Sequence, residues 1–158
     1  MTVQQPDNSR RLVNRRAWHE YRILETLETG ISLLGTEVKS LRQGQVSLAE
    51  GYARVELPDM ELWLHDVDIA RYSHGGPKQH DSKRPRRLLA HRRQIAKLLG
   101  LTSTSGTTLV PLAMYFRRGW AKVELGVGQG KRKVDKRQDL KTREAQQQIR
   151  RAMAQKRI

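Results

Sequence analysis

Glu25, Glu28 and Glu37 are the carboxylates whose chemistry invites attention first, since acids of this kind can hold a divalent cation for phosphodiester hydrolysis. Their spacing matches no metal-binding pattern, and acids on exposed strand and helix faces are usually solvated. His65, His74 and His80 lack metal-ligand spacing as well and receive no role. The chain has no cysteine, which removes disulfides, thiolate nucleophiles and Cys-type zinc sites. No cofactor, no metal and no enzymatic activity are therefore expected. What the sequence does supply is cationic charge: 31 Lys and Arg stand against 16 Asp and Glu, a net of +15. Such a surface calls for a polyphosphate or an anionic membrane. No run of roughly 18 apolar residues is present and no stretch resembles a signal peptide, so a nucleic acid in the cytoplasm is the expected setting. The charge is concentrated. Residues 131–158 carry 11 Lys or Arg against Asp135, Asp139 and Glu144, a net of +8, and each phosphate they neutralise would release counterions.

The elements that must position these groups follow from local patterning. One domain is expected from 158 residues. Residues 1–13 read as a flexible polar arm. Residues 21–28, YRILETLE, read as a first strand ending at a Thr29-Gly30 turn, although a short helix fits the same residues. Residues 35–42 form a helix capped by Thr36, with Glu37 at its positive end and Gly44 as its stop. Val38 and Leu41 share its inner side, and Lys39 and Arg42 face solvent. A hairpin follows, with Ala53, Val55 and Leu57 returning as Met60, Leu62 and Leu64 around Pro58-Asp59. Residues 72–85 are a loop. Leu88, Leu89, Ile95, Leu98 and Leu99 make a helical stripe ending at Gly100, with Arg86, Arg93 and Lys97 opposite. Val110, Leu112, Met114 and Phe116 alternate, Arg118-Gly119 turns the chain, and Ala121, Val123, Leu125 and Val127 resume the alternation.

A mainly β protein with short helices results, read as a small closed barrel of the oligonucleotide-binding type over residues 14–128. Periodicity does not separate this barrel from other small β folds. Residues 129–158 form a basic tail, disordered when free because its apolar stripe of Leu140, Ile149, Ala152 and Met153 is thin. Asp139 and Arg143 lie four apart and neither Pro nor Gly follows Gly130, so residues 140–157 can become helical when bound.

Five stretches add a further layer: NRRAWHEYRILETLETGI, GTEVKSLRQGQVSL, RPRRLLAHRRQI, TLVPLAMYFRRGWAKVELGVGQGK and DKR, in this order from Asn14 to Arg137. Together they resemble the SmpB family of SsrA-binding proteins. The resemblance implies a barrel that binds transfer-messenger RNA (tmRNA) and brings it to ribosomes stalled on messages lacking a stop codon. Elongation factor Tu would deliver the alanyl-tmRNA alongside it, and the tail would occupy the empty mRNA path. The implied RNA-binding residues are Glu28, Glu37, Lys39, Arg42, Leu89, His91, Arg92 and Lys122. A carboxylate such as Glu28 can accept from base amino groups or ribose hydroxyls. Without the resemblance Leu89 would read as core. His91 stands where the family often has Asn, and can still donate or stack. Implied contacts with the decoding centre and mRNA path are His19, Gly130, Lys131, Lys133, Asp135, Lys136, Arg137, Lys141 and Arg143. Trp18 departs from the basic residue common there; it either supplies another stacking surface or closes one end of the barrel, the second being the reading preferred. Two other classes fit part of the pattern: a ribosomal or assembly protein with a basic extension, and a nuclease using Glu25, Glu28 or Glu37.

Overall fold

The alternation across residues 107–130 builds the longest paired ribbon in the molecule. In this computed structural model, which describes residues 10–155, strands β8 (Thr107–Arg117) and β9 (Trp120–Gly130) pair antiparallel. They turn through Arg118 and Gly119, both at positive φ, as the expected Arg118-Gly119 turn requires. The single inward face expected for Val110, Leu112, Met114 and Phe116 is divided. A register shift between Pro111 and Ala113 adds one residue to β8, and an added residue reverses which face follows it. Leu109, Met114 and Phe116 therefore join the main core, while Val110 and Leu112 pack with Ala17 in a second apolar cluster.

Ala17 comes from α1 (Arg15–Glu20), which follows β1 (Leu12–Val13). Leu12 and Val13 pair with Met114 and Ala113, so the end of the expected flexible arm is part of the sheet. Residues 1–9 lie outside the described residues. Asn14 is why the chain changes element here. Its side-chain oxygen caps α1 by accepting from the Ala17 amide at 3.1 Å, and its amide nitrogen donates to Leu48 and Pro111 carbonyls.

β2 (Tyr21–Ile31) continues through Thr29 and Gly30, the expected turn. Long-range pairing overrides the local turn signal. Thr29 donates its hydroxyl to the Val123 carbonyl at 3.0 Å, and Gly30 pairs with both Leu89 and Lys122. A side chain at Gly30 would meet the Leu89 Cβ at 3.2 Å, so its absence permits the close approach. α2 (Gly35–Arg42) has the expected bounds and ends before Gly44 at φ 72°. Thr36 does not cap it. Glu37 accepts from the Leu34 amide at 2.8 Å instead, and the Thr36 hydroxyl bonds His80 at 2.8 Å.

β3 (Val46–Ser47) pairs with β6 (Asp68–Ile69) in a small second sheet. The expected hairpin is β4 (Tyr52–Glu56) and β5 (Glu61–His65), with Ala53 opposite Leu64 and Val55 opposite Leu62. Leu57 is not an inner residue; it sits in the turn, exposed. The helical stripe expected from Leu88 onward also divides. Residues Arg86–Leu89 form strand β7 between β5 and β2, and helix α3 (Arg92–Thr102) starts afterwards, running on through Gly100. Leu88 lies in the core, and Arg86, expected at the surface, is fully buried.

Hydrogen-bonded neighbours run β1-β8-β4-β5-β7-β2-β9, and β9 pairs in turn with β8. Inside this mainly β arrangement lie Leu62, Leu64, Leu88, Leu109, Met114, Val123 and Leu125, each at most 1% exposed. Complete burial of such side chains contributes about 1.5–3 kcal/mol apiece. Helix α4 (Lys133–Gln155) begins seven residues before the expected start at residue 140 and buries none of its side chains. The tail expected to be disordered when free is helical here, for two local reasons. Asp135 occupies the first turn, where negative charge is favoured, and Lys131, just before the helix, pairs with Asp139 in its second turn. Among the described residues, no helix is long and apolar enough to cross a membrane.

Candidate nucleic-acid interface

The expected RNA-contacting residues fall in three places, and one of those places is the interior. Glu37 is fully buried and cannot touch RNA. Its carboxylate accepts from Arg84 Nε at 3.1 Å, from Arg86 Nε and from the Leu34 amide. Burial alone would raise its pKa; the bonds from Arg84, Leu34 and Arg86 outweigh that and hold it below the ordinary carboxylate value. Arg86 spends its remaining donors on the carbonyls of Val67 at 2.8 Å and Ser82 at 3.0 Å. Glu37 therefore ties α2 to the loop before β7. Its partners lie 47 and 49 residues away, a separation no local pattern reveals.

The second place is an open face along β2, β7 and the start of β9. Leu89 is 52% exposed at the end of β7, so this apolar residue is surface rather than core. Beside it a groove of about 610 Å³ is lined by Leu89, Arg87, Ile31, Leu33, Phe116, Trp120 and Lys122. Arg42, exposed on α2, lays its guanidinium over the Phe116 ring at 4.4 Å. Lys39 is exposed on the same helix, and His91 and Arg92 are exposed where α3 begins. His91 is the N-cap of α3, its amide donating to Gln94 Oε1 at 3.0 Å.

Glu28 is half-buried and already engaged: its carboxylate accepts from the Tyr115 hydroxyl and from Arg117 Nη1 at 3.2 Å. The Tyr115 bond is the main reason its pKa lies below the ordinary value. Arg11 in turn lies over the Tyr115 ring at 4.6 Å. The acid therefore orders two neighbours as well as offering oxygens of its own.

The third place is the opposite end of β9. Gly130 ends the strand, and the Lys131 amide donates to the Glu20 carbonyl at 3.0 Å. The Lys131 side chain, expected to reach outward, is only 15% exposed; it donates to the Trp18 carbonyl and pairs with Asp139. That pairing lowers the Asp139 pKa. Trp18 is 43% exposed and lines an open groove of about 560 Å³ with Arg22, Arg132, Asp135 and Asp139, which leaves part of its ring available as a stacking surface. His19, half-buried on α1, keeps a buried Nδ1 with no hydrogen-bond partner among the described residues. Lys133, Asp135, Arg137, Lys141 and Arg143 are exposed along α4, and Lys136 is half-buried.

The three candidate metal-holding acids are dispersed. Glu25 pairs with Lys97 at 2.8 Å, Glu28 with Arg117 and Glu37 with Arg84 and Arg86. No group of three or more His, Cys, Asp or Glu among the described residues could hold a metal ion.

A family model described as SmpB protein matches residues 11–155, nearly all of the described chain. The chain belongs to the SmpB family. The SsrA-binding protein of Geobacillus kaustophilus is 52% identical over 139 residues, spanning 88% of this chain and 88% of that protein. That of Acidothermus cellulolyticus is 50% identical over 149 residues, spanning 93% and 92%. A chain from the structure described as "tmRNA-SmpB: a journey to the center of the bacterial ribosome" is 50% identical, with a TM-score of 0.67. It matches 78% of this chain and 85% of its own. The family membership thus covers both cationic ends of β9. Sequence reasoning missed Trp120, Arg87, Arg84 and Tyr115 as parts of these sites. Only Trp120 had a local signal, a large aromatic directly after a turn that exposes its neighbours.

Proposed function

We propose that this chain binds tmRNA and carries it to stalled ribosomes for trans-translation, without catalysing a reaction itself. The observation that carries this reading is half identity, over about nine-tenths of the chain, to proteins named for SsrA binding. Likeness to a chain from a tmRNA–SmpB structure supports the ribosome as the place of action, and hence the cytoplasm. Elongation factor Tu bringing the charged RNA completes the set of partners.

Residues 14–128 form the RNA-binding body, a closed barrel of the oligonucleotide-binding type. The return of β9 onto β8 supports that closure. Lys39, Arg42, Leu89, His91, Arg92 and Lys122 meet the RNA on the open face, and Glu28 orders Tyr115 and Arg117. Residues 129–158 form the tail, with Lys133, Asp135, Lys136, Arg137, Lys141 and Arg143 following the empty mRNA path and His19 near the decoding centre. Lys131 and Gly130 set the direction in which the tail leaves.

The purified full chain is expected to retain tmRNA over bulk tRNA at moderate salt; equal retention of both would overturn the reading in favour of a general ribosomal protein. The same assay separates two contacts. Lys122→Ala removes a phosphate partner and should flatten the salt slope of binding by roughly one unit. Glu28→Ala removes an acceptor and should lower affinity with little change of slope. Identical slopes in the two variants would refute the separate roles.

A further inference from the structure

Trp120, at the tip of the β8–β9 hairpin, is 74% exposed, the most exposed large apolar side chain among the described residues. An indole so placed leaves most of its apolar area in water, and tryptophan is enriched at interfaces, where its ring is covered by a partner. It pairs in register with Arg117 and borders the groove that also holds Leu89 and Lys122. The lining of that groove includes the buried Ile31 and Phe116 and the half-buried Leu33, together with the cationic Arg87 and Lys122. Arg87 is half exposed and pairs loosely with Glu61 at 3.4 Å, a surface contact that a phosphate can replace, and Arg42 adds its charge above Phe116. An apolar groove bordered by an exposed indole and by cations matches one ligand chemistry well: a planar uncharged ring attached to a polyanionic backbone. The chain's net charge of +15 favours the same partner.

We propose that this groove takes a single unpaired nucleobase of the bound RNA, stacked on the Trp120 indole, with the flanking phosphates on Lys122 and Arg87. The inference rests on the RNA-binding reading above and adds a ligand to it. Paired bases are inaccessible to such a surface, because their faces are covered by their neighbours in the helix; an extruded base exposes a face for stacking. Stacking of this kind is tolerant of base identity, so Trp120 supplies affinity and position while the polar groups around it supply selectivity.

The experiment compares full-length wild type with Trp120→Phe, Trp120→Leu and Trp120→Ala, using a tmRNA transcript as the probe. Trp120→Ala and Trp120→Leu are expected to weaken binding roughly 5- to 100-fold, the range for losing one base–aromatic stack. Trp120→Phe should recover most of that loss, since it restores a ring, and none of the three should change the salt slope. Thermal unfolding should be unchanged, because the side chain contributes nothing to the core. Tryptophan fluorescence of the wild type should be quenched by tmRNA more than that of Trp120→Phe. Trp120→Leu binding as well as Trp120→Phe would overturn the stacking role in favour of apolar burial alone. Undiminished tmRNA affinity in all three variants, with peptide transfer on ribosomes lost, would overturn it in favour of a protein partner. Failure of the wild type to bind tmRNA would instead strike the reading on which the inference rests.

Discussion

Glu37→Ala is expected to lower folding stability by about 3–5 kcal/mol, the usual cost of removing one member of a buried ion pair. The substitution leaves Arg86, itself 1% exposed, with an uncompensated charge, and releases Arg84 and the Leu34 amide. Chemical denaturation followed by circular dichroism measures the loss directly. The pH dependence adds an independent check. Glu37 has its folded pKa depressed below the ordinary 4.5, so its contribution is present above that value and disappears as pH falls through the folded value. Wild type should therefore lose stability steeply on acidification below about pH 4.5, and Glu37→Ala should lose less over the same interval. An unchanged unfolding midpoint combined with weaker tmRNA binding would restore Glu37 to the RNA surface.

Ending the chain after Gly130 is expected to separate the two halves of the function. The last strand is then complete, and α4 takes no buried side chain with it, so the unfolding midpoint should move little. Binding of tmRNA should persist, with a shallower salt dependence because residues 131–158, of net charge +8, are removed. Peptide transfer to tmRNA on stalled ribosomes should fall to background, since the element that fills the mRNA path is gone. Parallel loss of tmRNA binding and transfer would mean that tail and body act as one RNA-binding surface, and the division would have to be abandoned.

The sequence revealed those parts of the fold that depend on neighbours along the chain. The β8–β9 hairpin, the bounds of α2 and the pairing of Ala53 with Leu64 follow from alternation, capping and turn chemistry, all of which are local. Thr29-Gly30 looked like a turn because the same dipeptide also suits a strand where another backbone comes close, and only Leu89 across the sheet distinguishes the two cases. Leu88 and Leu89 joined the stripe of α3 because an apolar pair just before a helix satisfies its period as readily as that of a strand. Arg86 and Glu37 read as surface charges since each is costly inside unless matched, and the match joins α2 to β7. For the site, the motif resemblance supplied Leu89 and Lys122, which the structure brings to one groove. It could not supply Trp120's exposure or the capture of Lys131 by Trp18 and Asp139, which arise only once three elements meet.

β9 has a role as a measure of length. Lys122 stands near one end and Gly130 at the other, eight residue steps that span roughly 26 Å at about 3.3 Å each. Pairing with β8 on one side and β2 on the other denies the strand any freedom to stretch or coil. The distance from the RNA groove to the point where the tail departs is thus a built-in constant of the molecule, independent of salt, ligand or tail conformation. Adding two residues to each of the three strands would lengthen that gauge by about 7 Å with every side chain still on its own face. Adding one to each without a compensating bulge would exchange the faces and lose the core. The spacing between RNA and ribosome contacts therefore changes most readily in steps of a residue pair, and a single-residue step needs a bulge such as the one at Pro111–Ala113.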